Sequence, residues 1–307
     1  MRKLFALAAG CLLASSANGA VVLYEPFDYT PGPTLENSVL TSLGQDWDRA
    51  GLTTSALTPV VAGSLTNPVS GQPASAGNSV TVGPGTTRAE RLNFPIVSTG
   101  TIYYSLLLNP TDLDAQNPSV GGTASAVGAF LFGFNNGNAD AGTNTPPSVL
   151  GARIQMRRDP SEAGISADEG DASLFNVGIF NSGTPTATDF APGQYTVGQT
   201  LFIVASYEFV GALGGTDDIA RLWINPNPAT FDGLTGFDDT QVGGDVTTPG
   251  IQSIIVRNTG GLPSSSGIDE IRVSADFNDV IAGVPEPGTL SLAAIGGLAL
   301  LRRRRAH

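Results

Sequence analysis

The chain has 307 residues, 27 acidic against 15 basic, with a formal net charge of −12 and a single cysteine. That balance excludes a nucleic-acid or anionic-lipid binder, which needs a basic surface. The 41% hydrophobic content excludes a disordered polymer, and the length fits one large domain.

Arg2 and Lys3 form a basic start, residues 4–13 are apolar, and residues 14–20 are small or polar. This order reads as a secretory signal peptide over 1–19, with cleavage after Ala17, Gly19 or Ala20. Leu7-Ala8-Ala9-Gly10-Cys11 is only loosely similar to a lipoprotein cleavage box, since Ala8 stands where that box prefers leucine. Cys11 is expected to leave with the signal peptide. The mature chain then has no disulfide and no cysteine-bound metal, and its core must hold it together.

The body, residues 20–283, holds nine basic and 26 acidic residues, a net charge of −17, with no lysine and no histidine. It opens with a strand over 21–29 that breaks at Pro26. Residues 30–90 are rich in Gly, Pro, Ser, Thr and Asn and read as long loops with two or three short strands. Further strands are expected at 91–97, 100–108, 126–134, 149–157, 174–180, 199–210, 218–225, 251–257 and 268–274. Asn109-Pro110 closes the second of these and Asn135-Asn136-Gly137 the third. In 149–157, Leu150, Ala152, Ile154 and Met156 alternate with Arg153, Gln155 and Arg157, as in a strand buried on one face. In 218–225, Ile219, Arg221 and Trp223 oppose Ala220, Leu222 and Ile224. No segment keeps a helical period over three turns. The fold class is all-β: an antiparallel sandwich or barrel.

Three pieces in this order resemble the concanavalin-A-like, laminin-G-like jelly rolls. They are Tyr24-Glu25-Pro26-Phe27-Asp28-Tyr29, then Ala220-Arg221-Leu222-Trp223-Ile224-Asn225-Pro226-Asn227-Pro228, then Gly267-Ile268-Asp269-Glu270-Ile271-Arg272-Val273. The resemblance covers roughly residues 21–280, and 30–90 fits it least. It implies an antiparallel two-sheet jelly-roll sandwich whose first and last strands pair. It also implies one structural calcium near that pair, nominating Glu25, Asp28, Asp269 and Glu270.

Without His, Lys or Cys the body cannot build a Ser-His-Asp triad, a thiol nucleophile, a Schiff-base lysine or a His-ligated zinc site. Paired carboxylates remain, as in glycoside hydrolysis. The 267–273 stretch is similar to the Glu-x-Asp-x-x-Glu strand of jelly-roll glucanases, but Arg272 and Val273 follow where a third carboxylate is needed. Hard carboxylate oxygens suit calcium. Further acidic clusters are Asp112 with Asp114; Asp168, Glu169 and Asp171; Asp217 with Asp218; and Asp238, Asp239 and Asp245. None has EF-hand spacing. For sugar binding, Trp47 and Trp223 are the candidate aromatic platforms, with core packing the commoner fate of a strand tryptophan.

Residues 284–307 combine Pro285-Glu286-Pro287, a charge-free run over 288–301, and Arg302, Arg303, Arg304 and Arg305. The run is short of the ~20 residues that span a bilayer core, though arginines at its end can snorkel to headgroups. It reads as a short hydrophobic helix, a weak anchor with the arginines cytoplasmic. The three parts together resemble the PEP-CTERM sorting signal of exported bacterial proteins. That implies export across the inner membrane, with signal peptidase and a membrane exosortase as processing partners. A transient or stable C-terminal anchor would precede release to the cell surface or medium.

The sequence reading is therefore an exported surface or matrix protein, non-enzymatic, with exopolysaccharide as candidate ligand and calcium as candidate structural metal. The alternatives are a carboxylate-dependent carbohydrate-active enzyme and a matrix component with no ligand.

Overall fold

The computed structural model describes residues 21–40, 43–50, 58–84, 88–116, 127–137, 149–158, 173–181, 190–258 and 262–282. The signal peptide and the sorting signal lie outside these residues, as does the cluster Asp168, Glu169 and Asp171.

The first part of the chain forms β1 (Val21–Glu25), β2 (Val39–Leu40), β3 (Gln45–Asp46), β4 (Asp48–Ala50), β5 (Val60–Val61) and β6 (Ser79–Val82). The long strands follow: β7 (Arg88–Val97), β8 (Gly100–Asp112), β9 (Ala129–Asn135), β10 (Leu150–Arg158) and β11 (Leu174–Phe180). The remainder is β12 (Tyr195–Thr196), β13 (Leu201–Phe209), β14 (Ile219–Ile224), β15 (Asp239–Val242), β16 (Ile251–Asn258), β17 (Ser265–Ser274) and the helix α1 (Phe277–Ala282).

Two antiparallel sheets face each other as a jelly-roll sandwich. One runs β15-β14-β13-β8-β17-β6-β5, with β1 also paired to β17; the other runs β12-β11-β10-β9-β16-β7-β4. The first and last strands pair, Val21 opposite Ser274 and Glu25 opposite Ile271. β6 meets the other end of β17, at Ser266–Ile268. Both lie on the side of β17 away from β8, whose residues pair along its whole length.

Long apolar runs follow from burial on both faces of the β1-containing sheet. Ile102, Tyr104, Leu106 and Leu108 of β8, and Leu201, Ile203, Ala205 and Tyr207 of β13, fill the core between the sheets. Their neighbours Tyr103, Leu107, Phe202 and Val204 point to the opposite face, where Val280 and Ile281 of α1 cover them. Alternation in β10 holds on the inner face for Ala152, Ile154 and Met156, which are fully buried, but a register shift after Gly151 breaks it, and Leu150 packs in a separate cluster with Ala50, Ala89, Phe130 and Ile255. The outer face is covered too: the Arg157 guanidinium lies 3.8 Å over the Phe190 ring.

Three expectations needed correction. β8 runs through Asn109-Pro110 to Asp112, because the register shifts between Ser265 and Ser266 where Pro110, lacking an N–H, meets β17. Among the described residues, the 30–90 region carries five short strands, none longer than four residues, before β7 begins at Arg88. β15, in a polar stretch, is an edge strand whose ladder to β14 its sequence did not advertise.

Trp223 points out of the sandwich and is nevertheless 2% exposed. Phe231 packs edge-on against it at 5.2 Å. Its Nε1 donates to the Thr235 carbonyl at 2.8 Å. Phe277 of α1 packs against Phe231 and Tyr103, so α1 and the 226–238 loop form a lid over the outer face. Trp223→Ala is expected to destabilise the fold by about 3–5 kcal/mol, with Trp223→Phe clearly milder. Equilibrium denaturation of the full-length chain reads both.

Candidate functional site

The closure of the first strand onto the last gathers buried acids. Register shifts between Asp269 and Arg272 where β17 pairs with β8, so Asp269 and Glu270 sit on a bulge. Glu270 is forced to φ +53, a left-handed backbone that a non-glycine residue adopts only under constraint. Asp269 is 0% and Glu270 2% exposed. Asp269 Oδ2 accepts from Leu65 N at 2.8 Å and its Oδ1 from Glu270 N at 2.7 Å. Glu270 takes Ala76 N at 2.7 Å, the Arg272 guanidinium at 2.6 Å and the Tyr24 hydroxyl at 3.2 Å. The Arg272 guanidinium also lies 4.6 Å over the Tyr24 ring.

Glu25 closes β1 in the same manner. Its carboxylate accepts from Phe27 N at 2.6 Å, Trp47 Nε1 at 2.9 Å and the Tyr29 hydroxyl. Phe27 stacks on Trp47 at 6.0 Å. Asp28 is exposed. The nominated quartet is thus not one cation cage: three acids spend their oxygens on internal donors and the fourth faces solvent. The sugar-platform expectation is corrected by burial. Trp47 is 0% exposed with its N–H on Glu25, and Trp223 lies under the α1 lid. Neither offers a ring face to a ligand.

Over the bulge sits a compact loop with its ends tied together. Gly63 N donates to Asn78 Oδ1 at 2.9 Å, and Ser64 Oγ to the Ala76 carbonyl at 2.6 Å. Gly77 is obligatory, because a Cβ there would stand 2.2 Å from the Pro26 carbonyl oxygen. The loop forms one wall of a half-open pocket of about 300 Å³ lined by Ser64, Leu65, Asn67, Val69, Gln72 and Ser75, among others. Both amide atoms of Gln72 and the Ser75 hydroxyl are buried and have no partner. The cavity abuts the Asp269–Glu270 bulge through Leu65 N and Ala76 N. Sequence reading passed over this loop because Ser, Thr, Gly and Pro there signal only exposure. Its one usable signal was the glycine spacing: Gly63, Gly71 and Gly77 all have positive φ.

The remaining acidic clusters divide. Asp112 accepts from Asp114 N, Asp238 from Ile224 N and Asp239 from Ile179 N, each at 2.6–2.9 Å, so these brace turns and strands. Among the described residues, the acids close enough to share one cation are Asp217, Asp218 and Asp245.

A model of the PEP-CTERM protein-sorting motif matches residues 283–305. The chain carries the PEP-CTERM sorting signal. It is that of an exported protein sorted by an exosortase. Among the described residues no helix is long and apolar enough to cross a membrane. No curated protein is similar enough to match. Solved structures with a similar layout include the carbohydrate recognition domain of Emp46p, at 10% identity over 81% of this chain and 97% of that one, TM-score 0.34. The calcium- and mannose-bound lumenal domain of VIP36 matches at 11% identity over 75% and 83%, TM-score 0.32. The legume lectin-like domain from Entamoeba histolytica matches at 12% identity over 74% and 88%, TM-score 0.31. Likeness at this level says nothing of ligand or activity.

Burial pushes the Asp269 carboxyl up to about 8, against the two backbone N–H donors, with the Glu270 charge adding to the rise. Burial also raises Glu25, Asp238 and Asp279. A carboxyl raised in the fold stabilises it fully below its unfolded pKa of about 4, and that contribution is lost as pH climbs through the folded value. The thermal midpoint of the full-length chain should therefore fall between about pH 4 and about pH 8, less steeply in Asp269→Asn. A flat profile would mean that the amides of Leu65 and Glu270 keep Asp269 ionised throughout.

Proposed function

We propose that the body, residues 20–283, is a non-enzymatic module of the cell surface or extracellular matrix that binds exopolysaccharide in the 64–75 pocket. The observation that carries this reading is the Gln72 amide and Ser75 hydroxyl, buried at the pocket wall without partners. A buried polar group left unpaired costs about 1–3 kcal/mol, so a ligand that reaches these atoms as the loop gives way and pairs them recovers that cost. An amide with a free donor and a free acceptor matches the paired hydroxyls of a sugar ring. The cavity, about 300 Å³, suits a single saccharide unit; small-molecule sites start at roughly that volume. Leu65, Val69 and Pro73 supply the apolar side a sugar's C–H face requires.

The non-enzymatic part is supported by the state of the carboxylates. Hydrolysis needs two carboxyls flanking a substrate, about 5–10 Å apart across a cleft. Asp269 and Glu270 are consecutive, buried and bonded inward by backbone N–H groups. The body lacks His, Lys and Cys, which removes most other nucleophiles and bases.

Export and sorting then have separate parts. Signal peptidase removes residues 1–19. The exosortase reads Pro285-Glu286-Pro287, the apolar run and Arg302–Arg305, and the anchor holds the chain until it acts. Intact mass of the protein recovered from the producing cell is expected to correspond to a chain lacking both 1–19 and the arginine end of the tail. Recovery of the whole tail would show that the signal serves as a stable anchor.

Binding is tested with the full-length chain against the producing cell's own exopolysaccharide and a panel of simple glycans. A native-state ligand raises the melting midpoint, so one glycan in the panel should do so. Gln72→Ala should weaken that binding by about tenfold, a single lost hydrogen-bond pair, while leaving the unliganded midpoint no lower than that of the parent chain, since the unpaired amide is removed with it. No shift with any glycan would move the protein to the ligand-free structural reading.

A further inference from the structure

The turn between β13 and β14 folds back on the segment after β15 and brings three carboxyls together. Asp217, Asp218 and Asp245 each offer an oxygen within 4.8 Å of the others. Asp218 is fixed from two sides: its Oδ1 accepts from Val210 N at 2.7 Å, and its Oδ2 from the Tyr207 hydroxyl. Tyr207 is itself oriented by Val246 N, which donates to its oxygen at 2.7 Å. The hydroxyl proton is thereby committed to Asp218. Asp245 Oδ1 accepts from Asp218 N at 2.8 Å.

The other oxygen of Asp245 is the anomaly. Asp245 is 6% exposed, and its buried Oδ2 faces no N–H or hydroxyl donor: the polar group beside it is the Asp217 carboxyl, itself an acceptor when ionised. This Oδ2 faces the same small space as Asp217: a Cβ built on Gly215 would stand 2.7 Å from Asp245 Oδ2 and 3.1 Å from Asp217 Oδ1. Gly211, at φ +70, approaches the second Asp217 oxygen, where a Cβ would lie at 3.1 Å. Glycines at both positions leave the carboxyl oxygens room to converge. The ion pairs Arg49–Glu36, Arg221–Glu208 and Arg272–Glu270 involve none of these acids. Two buried carboxyls beside a third, without a cation, leave negative charge uncompensated where water cannot screen it, despite their hydrogen bonds.

We propose that Asp217, Asp218 and Asp245 form a calcium site that pins the β13–β14 turn to the segment entering β16. Three hard carboxylate oxygens with no nitrogen or sulfur donor suit calcium, whose irregular shell of six to eight oxygens accepts carbonyls and water for the rest. Asp218 retains lone pairs after its two hydrogen bonds, since a carboxylate has about four acceptor positions. Asp217 is exposed and gives the ion a path in from solvent. This site is separate from the 64–75 pocket and does not depend on saccharide binding.

The test is calorimetric titration of calcium chloride into the full-length chain in mild detergent after treatment with a chelator. One calcium per chain is expected. Asp217→Asn and Asp245→Asn should each weaken binding by at least about tenfold, no less than is typical for losing an outer-shell partner. Asp217 is exposed, so its variant should keep the native fold, and an unchanged unliganded midpoint checks this even where Asp245→Asn fails to fold. Absence of saturable heat would overturn the site. Calcium bound equally well by Asp217→Asn would overturn it too, placing the ion elsewhere.

Discussion

The ladder on either side of β17 is the constraint the rest of the body depends on. One edge of this strand carries β8, and the other carries β1 and β6 end to end. Residues about 250 positions apart are thereby neighbours: the Tyr24 hydroxyl meets the Glu270 carboxylate across 246 residues of chain. The ladder cannot form until nearly all of the body has been made. With no cysteine in 20–283 to staple it, the closure rests on backbone pairing and burial alone. That is consistent with the density of buried polar anchors here. Glu25, Asp269 and Glu270 each satisfy backbone or aromatic donors that the turn, the bulge and the strand end would otherwise leave bare.

The β1-containing sheet is covered on both sides. Its inner face meets the second sheet. Its outer face carries a smaller core of Tyr103, Leu107, Phe202, Val204 and Trp223 beneath α1 and the 226–238 loop. Ser105 Oγ donates to the Val280 carbonyl at 2.7 Å, tying the last turn of α1 to the middle of β8. α1 ends at Ala282, one residue before the match to the sorting motif begins. The body is thus capped immediately before the signal that directs its export.

The bulge at Asp269–Glu270 links fold and ligand reading. It aims two carboxyls at the backbone of the 64–76 loop, and their bonds to Leu65 N and Ala76 N hold both ends of the loop against the sheet. A pocket walled by a loop so held is placed in advance, and a ligand there pays only for the local give of the loop. The acids serve the pocket by positioning its walls. They do so without touching its interior, which is why residues that read as candidate metal ligands or catalytic groups in the sequence turn out to be braces.

The sequence by itself determined the class of structure, the address and the chemistry ruled out. Apolar runs bounded by turn clusters specify strands because a strand's side chains alternate at a fixed period. Pro-Glu-Pro, an apolar run and an arginine block lie contiguous in the chain, so the sorting signal was legible without a fold. What it could not show was which face of a strand is covered, and which distant residues meet. Alternation placed Trp223 opposite Leu222 and Ile224, but only the packing of α1 and Phe231 decided that the outward face is buried as well. Asp245 was grouped with Asp238 and Asp239 by proximity in sequence. The return of the chain from β15 to β16 sets it instead beside Asp218, 27 residues away. Gln72 and Ser75 carried no signal because a polar loop residue looks the same whether solvent or a cavity surrounds it. Those three outcomes are properties of long-range pairing, and a one-dimensional pattern has no information about them until the sheets close.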